Sequence, residues 1–115
     1  MLEERYADVF KALGDEIRLS IVDMLTEGDL CGNDILKAFS ISQPTLSYHM
    51  KLLVSCGVVK SRKSGLKTIY SVTGDSLDLL RAYDSEIAVK LAKRDENGES
   101  EEDEPHKREL ESYLL

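Results

Sequence analysis

The sequence predicts a mainly α-helical domain with one small β-hairpin, and three observations carry that expectation. Apolar residues recur at helical spacing in five separate stretches. The only stretch with a strand-like period, 58–72, is broken by a Ser64-Gly65 turn signal. With no Trp and two Phe in a chain that is 42% hydrophobic, the core must be mostly aliphatic, as in small helical domains. The 115 residues suit one compact domain and are too few for two full ones. No unbroken apolar run exceeds three residues, and the first ten residues are charged throughout, so neither a membrane span nor a signal peptide is expected. A cytoplasmic protein follows.

The first helix is expected over 3–13, with Tyr6, Phe10 and Leu13 facing inward and Gly14 ending it. Asp15 is placed to cap a second helix whose dipole suits Glu16. Its stripe is Ile17, Ile21, Met24 and Leu25, with Arg18 beside it, and Thr26-Glu27-Gly28 stops it. A brief third helix over 33–39, with Ile35, Leu36 and Phe39 apolar, leads into a tight connection at 40–42. The fourth helix opens on Ser42 as N-cap and tolerates Pro44 in its first turn, where a missing N–H costs nothing. Leu46, Met50 and Leu53 mark its inner face as far as residue 55 or 56. Pro44, Tyr48 and Lys51 then lie within about 40° of the opposite pole, with Ser47 nearer the side. His49 falls about 60° off the centre of the buried face, which suits a packing or backbone-bonding histidine better than a base reader or metal ligand.

Beyond Gly57 the hairpin carries Arg62, Lys63 and Lys67 close to its tip. A last helix over 75–94 has Leu77, Leu80, Tyr83, Ile87 and Leu91 as its stripe, and Asp78 forms a capping-box-like pair with Asp75. So long an apolar stripe on a terminal helix needs a surface to bury it.

The net charge of −7 argues, taken alone, against nucleic acid, but its distribution reverses that argument. Residues 95–115 hold nine acids against Lys107 and Arg108, which accounts for the whole excess. Residues 35–74 contain no acid at all and carry Lys37, Lys51, Lys60, Arg62, Lys63 and Lys67. A neutral domain (1–94) with a polarised basic segment is suited to phosphate, and a solvated, flexible acidic tail (95–115) is suited to competing with it. In the tail, Leu110, Tyr113 and Leu114 recur at helical spacing, so a docked helical turn is the other expectation there.

Two helices joined by a short turn and followed by a basic hairpin describe a winged helix-turn-helix. The candidate contacts to base edges and phosphates are Ser42, Gln43, Pro44, Thr45, Ser47, Tyr48 and Lys51 on the fourth helix and Arg62, Lys63 and Lys67 on the wing. At this point the chain resembles the ArsR/SmtB winged-helix repressors of bacteria, over about residues 7–83. The resemblance is carried by FKALGDEIRL at 10–19, SQPTLSYHMKLL at 42–53, GVV at 57–59 and KTIYS at 67–71. It implies a homodimer built on the first and last helices, a double-stranded operator with an imperfect inverted repeat, loss of DNA binding on a signal, and Gln43, Pro44, Ser47 and Tyr48 on the DNA-reading face.

Part of that family holds arsenic or other thiophilic ions with a Cys-x-Cys pair at the start of the third helix. Here the run is Cys31-Gly32-Asn33, and a lone thiolate cannot supply the two or three sulfurs such ions demand. A second family site, built from Asp-x-His and His-x-x-His on the last helix, has no counterpart either: the only histidines are His49 and His106, and the nearest imitation is Asp84-Ser85-Glu86. No metal or other cofactor is expected. Cys31 and Cys56 are candidates for a reversible thiol switch, beside the plainer reading of buried structural cysteines. There is no glycine-rich phosphate loop, nucleophile elbow or Ser-His-Asp set, so an enzyme is not expected. The rival from another class is a winged-helix module that binds protein and recruits through its acidic tail. Such a surface would expose apolar anchors, and the hydroxyl-rich cationic face favours DNA.

Overall fold

The computed structural model describes residues 2–97. The expectations for the tail, apart from its first three residues, lie outside the described residues. In chain order the elements are α1 (Leu2–Leu13), α2 (Glu16–Leu25), β1 (Leu30–Cys31), α3 (Gly32–Leu36), α4 (Gln43–Ser55), β2 (Val59–Ser64), β3 (Lys67–Val72) and α5 (Asp75–Glu96). The three strands form an antiparallel sheet in the order β1-β3-β2. This is the winged helix-turn-helix arrangement, with α3 and α4 as its helical pair and β2-β3 as its wing.

Local chemistry sets most of the boundaries. The Asp15 carboxylate accepts the Arg18 N–H at 3.0 Å and so caps α2. Ser42 Oγ accepts the Thr45 N–H at 3.3 Å, and Pro44 occupies the first turn, as expected for α4. At the other end of α4 the chain reverses through Gly57, whose φ of +84° is left-handed. The Val58 N–H returns to the Leu53 carbonyl and the Gly57 N–H to that of Val54, each at 3.1 Å. That double return is a Schellman closure, and it sends Val58 and Val59 straight into the core. Thr73 and Ser76 then donate to the Gly57 and Cys56 carbonyls at 2.8 and 2.9 Å. The rear of the wing and the start of α5 are thereby pinned to the end of α4. A methyl group on Gly57 would lie 2.9 Å from Ser76 Oγ, so both the backbone and the packing demand glycine.

The core consists of Val9, Ala12, Ile21, Leu25, Ile35, Leu46, Met50, Leu53, Val58 and Val59. Truncating a fully buried member such as Leu53 to Ala would cost about 2–5 kcal/mol, through lost transfer energy plus the cavity left behind. Several expectations are corrected at this level. In α1 the buried face is Tyr6, Val9 and Ala12, while Phe10 is exposed and meets Tyr83 edge-on at 5.2 Å. Which face of α1 is buried is set by the elements packed against it, and Phe10 falls outside it. Arg18 lies within the α2 stripe and not beside it, buried together with Ile21 and Leu25. The third helix starts one residue early and stops at Leu36, because the Ala38 and Phe39 N–H groups bond three residues back in tighter turns. The hairpin turn is Gly65-Leu66 and not Ser64-Gly65, since Ser64 pairs with Lys67. Gly65 has φ +63°, the glycine-first pattern of a type II′ turn. At the start of α5 the Asp78 carboxylate faces Arg81 Nη1 at 3.6 Å.

Helix α5 runs two residues beyond the expected 94. Its outer part, from Asp84, is a separate unit. Ile87, Val89 and Leu91 are exposed there, and Glu86 pairs with Lys90 at 3.3 Å.

Candidate nucleic-acid interface

Helix α4 has one face committed to the core and one left to solvent. Leu46, His49, Met50 and Leu53 are buried. Ser42, Gln43, Pro44, Thr45, Ser47 and Lys51 are exposed, and Tyr48 presents 58% of its surface. All seven candidates on this helix are therefore exposed: Pro44, Tyr48 and Lys51 opposite the core, Thr45 and Ser47 at the sides, and Ser42 and Gln43 at the N-terminal end. At its N-terminus the Ser42 hydroxyl donates to Thr45 Oγ1 at 2.9 Å while capping the helix, which orders both hydroxyls beside Gln43. The face carries donors, acceptors, an aromatic ring and one cation, without an acid.

The setting of this helix depends on a buried polar contact. The Arg18 guanidinium donates to the Ala12 carbonyl at 2.6 Å, to the Lys11 carbonyl at 3.4 Å, and to His49 Nδ1 at 2.9 Å. Because a guanidinium only donates, Nδ1 is the acceptor and the His49 proton sits on Nε2. Asp15 Oδ2 lies 3.9 Å from the same Nδ1. Three elements, α1, α2 and α4, thus meet at one cation. The Arg18 N–H, and then the Arg18 charge, hold the Asp15 carboxyl below the ordinary aspartate range. His49 is a packing histidine as expected, but its partner is a side chain and not backbone. The signal for Arg18 was present in its spacing, three and seven residues ahead of Ile21 and Leu25.

The wing brings Arg62, Lys63 and Lys67 to the exposed hairpin, and each has an intramolecular neighbour. Arg62 Nη1 donates to Asp29 Oδ2 at 3.1 Å and to Ser71 Oγ at 3.3 Å. Lys63 Nζ reaches Thr68 Oγ1 across the strands at 2.8 Å. The Lys67 charge acts on Asp34, whose carboxyl is held low first by the hydrogen bond from the Cys31 thiol and further by Lys37 and Lys67. Sequence reasoning missed Asp29 and Asp34, since both precede the acid-free segment and only folding returns them to it. A cleft of about 320 Å³ separates α4 from the wing, with Gln43 and Ser47 on one wall and Leu66, Lys67 and Tyr70 on the other.

The two cysteines occupy different clefts: Cys31 lines the one shared with Gln43 and Ser47, and Cys56 the other. Cys31 is buried and donates to Asp34 Oδ2 at 3.1 Å. Cys56 ends α4 and donates to the Leu53 carbonyl at 3.4 Å. Among the described residues no group of three or more His, Cys, Asp and Glu side chains could hold a metal ion. Nor is any helix among them long and apolar enough to cross a membrane.

Comparison with known proteins agrees with this architecture. The family model described as "Bacterial regulatory protein, arsR family" matches residues 15–61. Over 80 residues the chain is 42% identical to an arsenical resistance operon repressor of Staphylococcus xylosus, spanning 70% of this chain and 77% of that one. An ArsR-like transcriptional regulator from Rhodococcus sp. RHA1 superposes with a TM-score of 0.70 at 28% identity, covering 86% of this chain and 97% of that structure. The homodimeric winged helix-turn-helix DNA-binding domain of a Mycobacterium bovis protein does so with a TM-score of 0.62 at 29% identity, covering 81% and 86%.

Proposed function

The chain belongs to the arsR family of bacterial regulatory proteins, and from that premise we propose that it is a transcriptional repressor acting in the cytoplasm. It binds a double-stranded inverted-repeat operator as a homodimer. Residues 1–94 bind DNA and dimerise through α1 and α5, and residues 95–115 moderate affinity.

The observation that carries this reading is the outward face of α4. Its seven exposed candidates lie at the N-terminal end, the sides and the back of a helix whose buried face fixes it in the core. In the major groove Gln43 is suited to an adenine edge, Tyr48 and Pro44 to thymine methyls, and Ser42, Thr45, Ser47 and Lys51 to phosphates or further base edges. On the wing, Lys63 and Lys67 contact the backbone, and Arg62 joins them by exchanging Asp29 for phosphate. Dimerisation is supported by large apolar side chains that one protomer leaves exposed: Phe10 and Tyr83, and separately Ile87 and Leu91.

The staphylococcal relative is named for arsenical resistance, but the residues here do not form a multi-thiolate site for such an ion. Cys31 is followed by Gly32 and Asn33, and the only other thiol, Cys56, lines a different cleft. The signal that releases DNA is therefore not a thiophilic ion held at the start of α3.

Footprinting the purified chain on the DNA upstream of its own gene tests the reading. Two protected half-sites about one helical turn apart are expected, with unchanged protection at one equivalent of arsenite or cadmium. Uniform, sequence-independent protection, or a monomer in sedimentation at micromolar concentration, would overturn it.

A further inference from the structure

Leu66 occupies the second position of the two-residue wing turn and is 106% exposed, more open than any other large apolar side chain described. Nothing in the fold uses it: the turn is made by Gly65, and a polar residue would serve at position 66 equally well. The turn that carries it closes a regular ladder. Six cross-strand pairs run from Val59↔Val72 to Ser64↔Lys67, and the base of the hairpin is pinned to the end of α4 by Thr73.

Leu66 also borders the cleft that Gln43 and Ser47 line from the other side. The turn and the N-terminal half of α4 therefore face one cleft. With Lys63 and Lys67 on either side of it, the tip is cationic at its shoulders and apolar at its point.

Resting on the DNA-binding reading above, we propose that Leu66 is a specificity-determining wedge, entering the minor groove beside the helix-bound major groove and partly unstacking one base step in each half-site. A cationic rim draws the tip to the phosphates flanking a groove about 6 Å wide, and an aliphatic side chain at the point has only the groove floor and a base step to bury against. The cost of unstacking depends on the step and is least at flexible pyrimidine–purine steps. Leu66 thereby supplies sequence preference at positions outside the reach of α4, and each wedge bends the duplex toward the major groove.

The test uses the full chain and the duplex it selects from a randomised pool. Affinity is measured at several salt concentrations, bending by energy transfer between duplex ends, and unstacking by 2-aminopurine placed at successive flanking steps. Leu66→Ser is expected to bind that duplex about ten-fold more weakly, with its bend and its 2-aminopurine signal lost and its salt slope retained. Leu66→Met keeps all of these near wild type. Because the side chain is fully exposed, both variants unfold at the wild-type temperature. A Leu66→Ser chain with wild-type affinity and bend would overturn the wedge and leave the DNA-binding reading standing. A wild-type chain that selects no duplex would overturn both.

Discussion

The Arg18 guanidinium carries N–H donors and no acceptor, so its burial demands acceptors, and it finds them on two other elements: the Ala12 and Lys11 carbonyls and His49 Nδ1. Removing the donor leaves those acceptors stranded, which costs more than the bonds themselves contribute. Arg18→Met should lower unfolding free energy by about 2–4 kcal/mol, read from urea denaturation. His49→Gln keeps an acceptor in place and should lose far less, and the double variant should fall short of the sum of the two. Asp15 adds a pH signature. Its folded pKa lies below the ordinary aspartate value, so its contribution is full above that value and disappears as pH falls through the lower one. The melting temperature of the wild type should therefore drop more steeply in acid than that of Asp15→Asn, which still caps α2 but does not titrate. Parallel acid limbs would show that the cap is not what fails there.

At the scale of elements, the wing is a cationic hairpin whose strongest cation is already engaged. Arg62 and Asp29 are about half exposed, so their pair adds little to stability, but phosphate must compete with it. Asp29→Asn should strengthen binding to all duplexes alike and steepen the salt dependence. Lys63→Ala should weaken binding alike and lower the salt slope by about two units for a dimer. Affinity titrations between low and moderate salt distinguish them, and unchanged slopes in both would remove the wing from the interface. The Arg62–Asp29 pair also marks where sequence reading ran out. Caps, breaks and the outward face of α4 were legible because each depends on residues within a few positions: Asp15 with Arg18, Ser42 with Thr45, Leu46 with Met50 and Leu53. Asp29 meets Arg62 across 33 residues, and β1 gains strand character only by pairing with Tyr70 and Ile69. No local period announces either. The face of α1 was misjudged for a related reason. Its choice of Val9 and Ala12 over Phe10 is made by the helices packed against it and not by its own hydrophobicity.

For the whole molecule, the governing feature is the separation of opposite charge along one chain. Residues 35–74 hold six cations and no acid, and 95–115 hold nine acids, Asp95 and Glu96 at the end of α5 among them. Acids on the same chain as a DNA-binding segment have a high effective concentration for it whenever the link between them is flexible. On the proposed reading they act as an internal competitor, which would lower affinity most where the interaction is purely electrostatic, at non-operator DNA. Deleting residues 98–115 should leave the melting temperature and the dimer unchanged. At low salt it should tighten binding to operator and random duplex, and to the random duplex by the larger factor. The gain should fade as salt rises, because the Debye length shrinks from about 10 Å at 0.1 M to about 3 Å at 1 M. Melting curves, sedimentation and paired titrations at two salt concentrations check each part. A truncated chain that melts early or dissociates would assign Leu110, Tyr113 and Leu114 to a docked structural segment, and the acids of the tail to its solvated side.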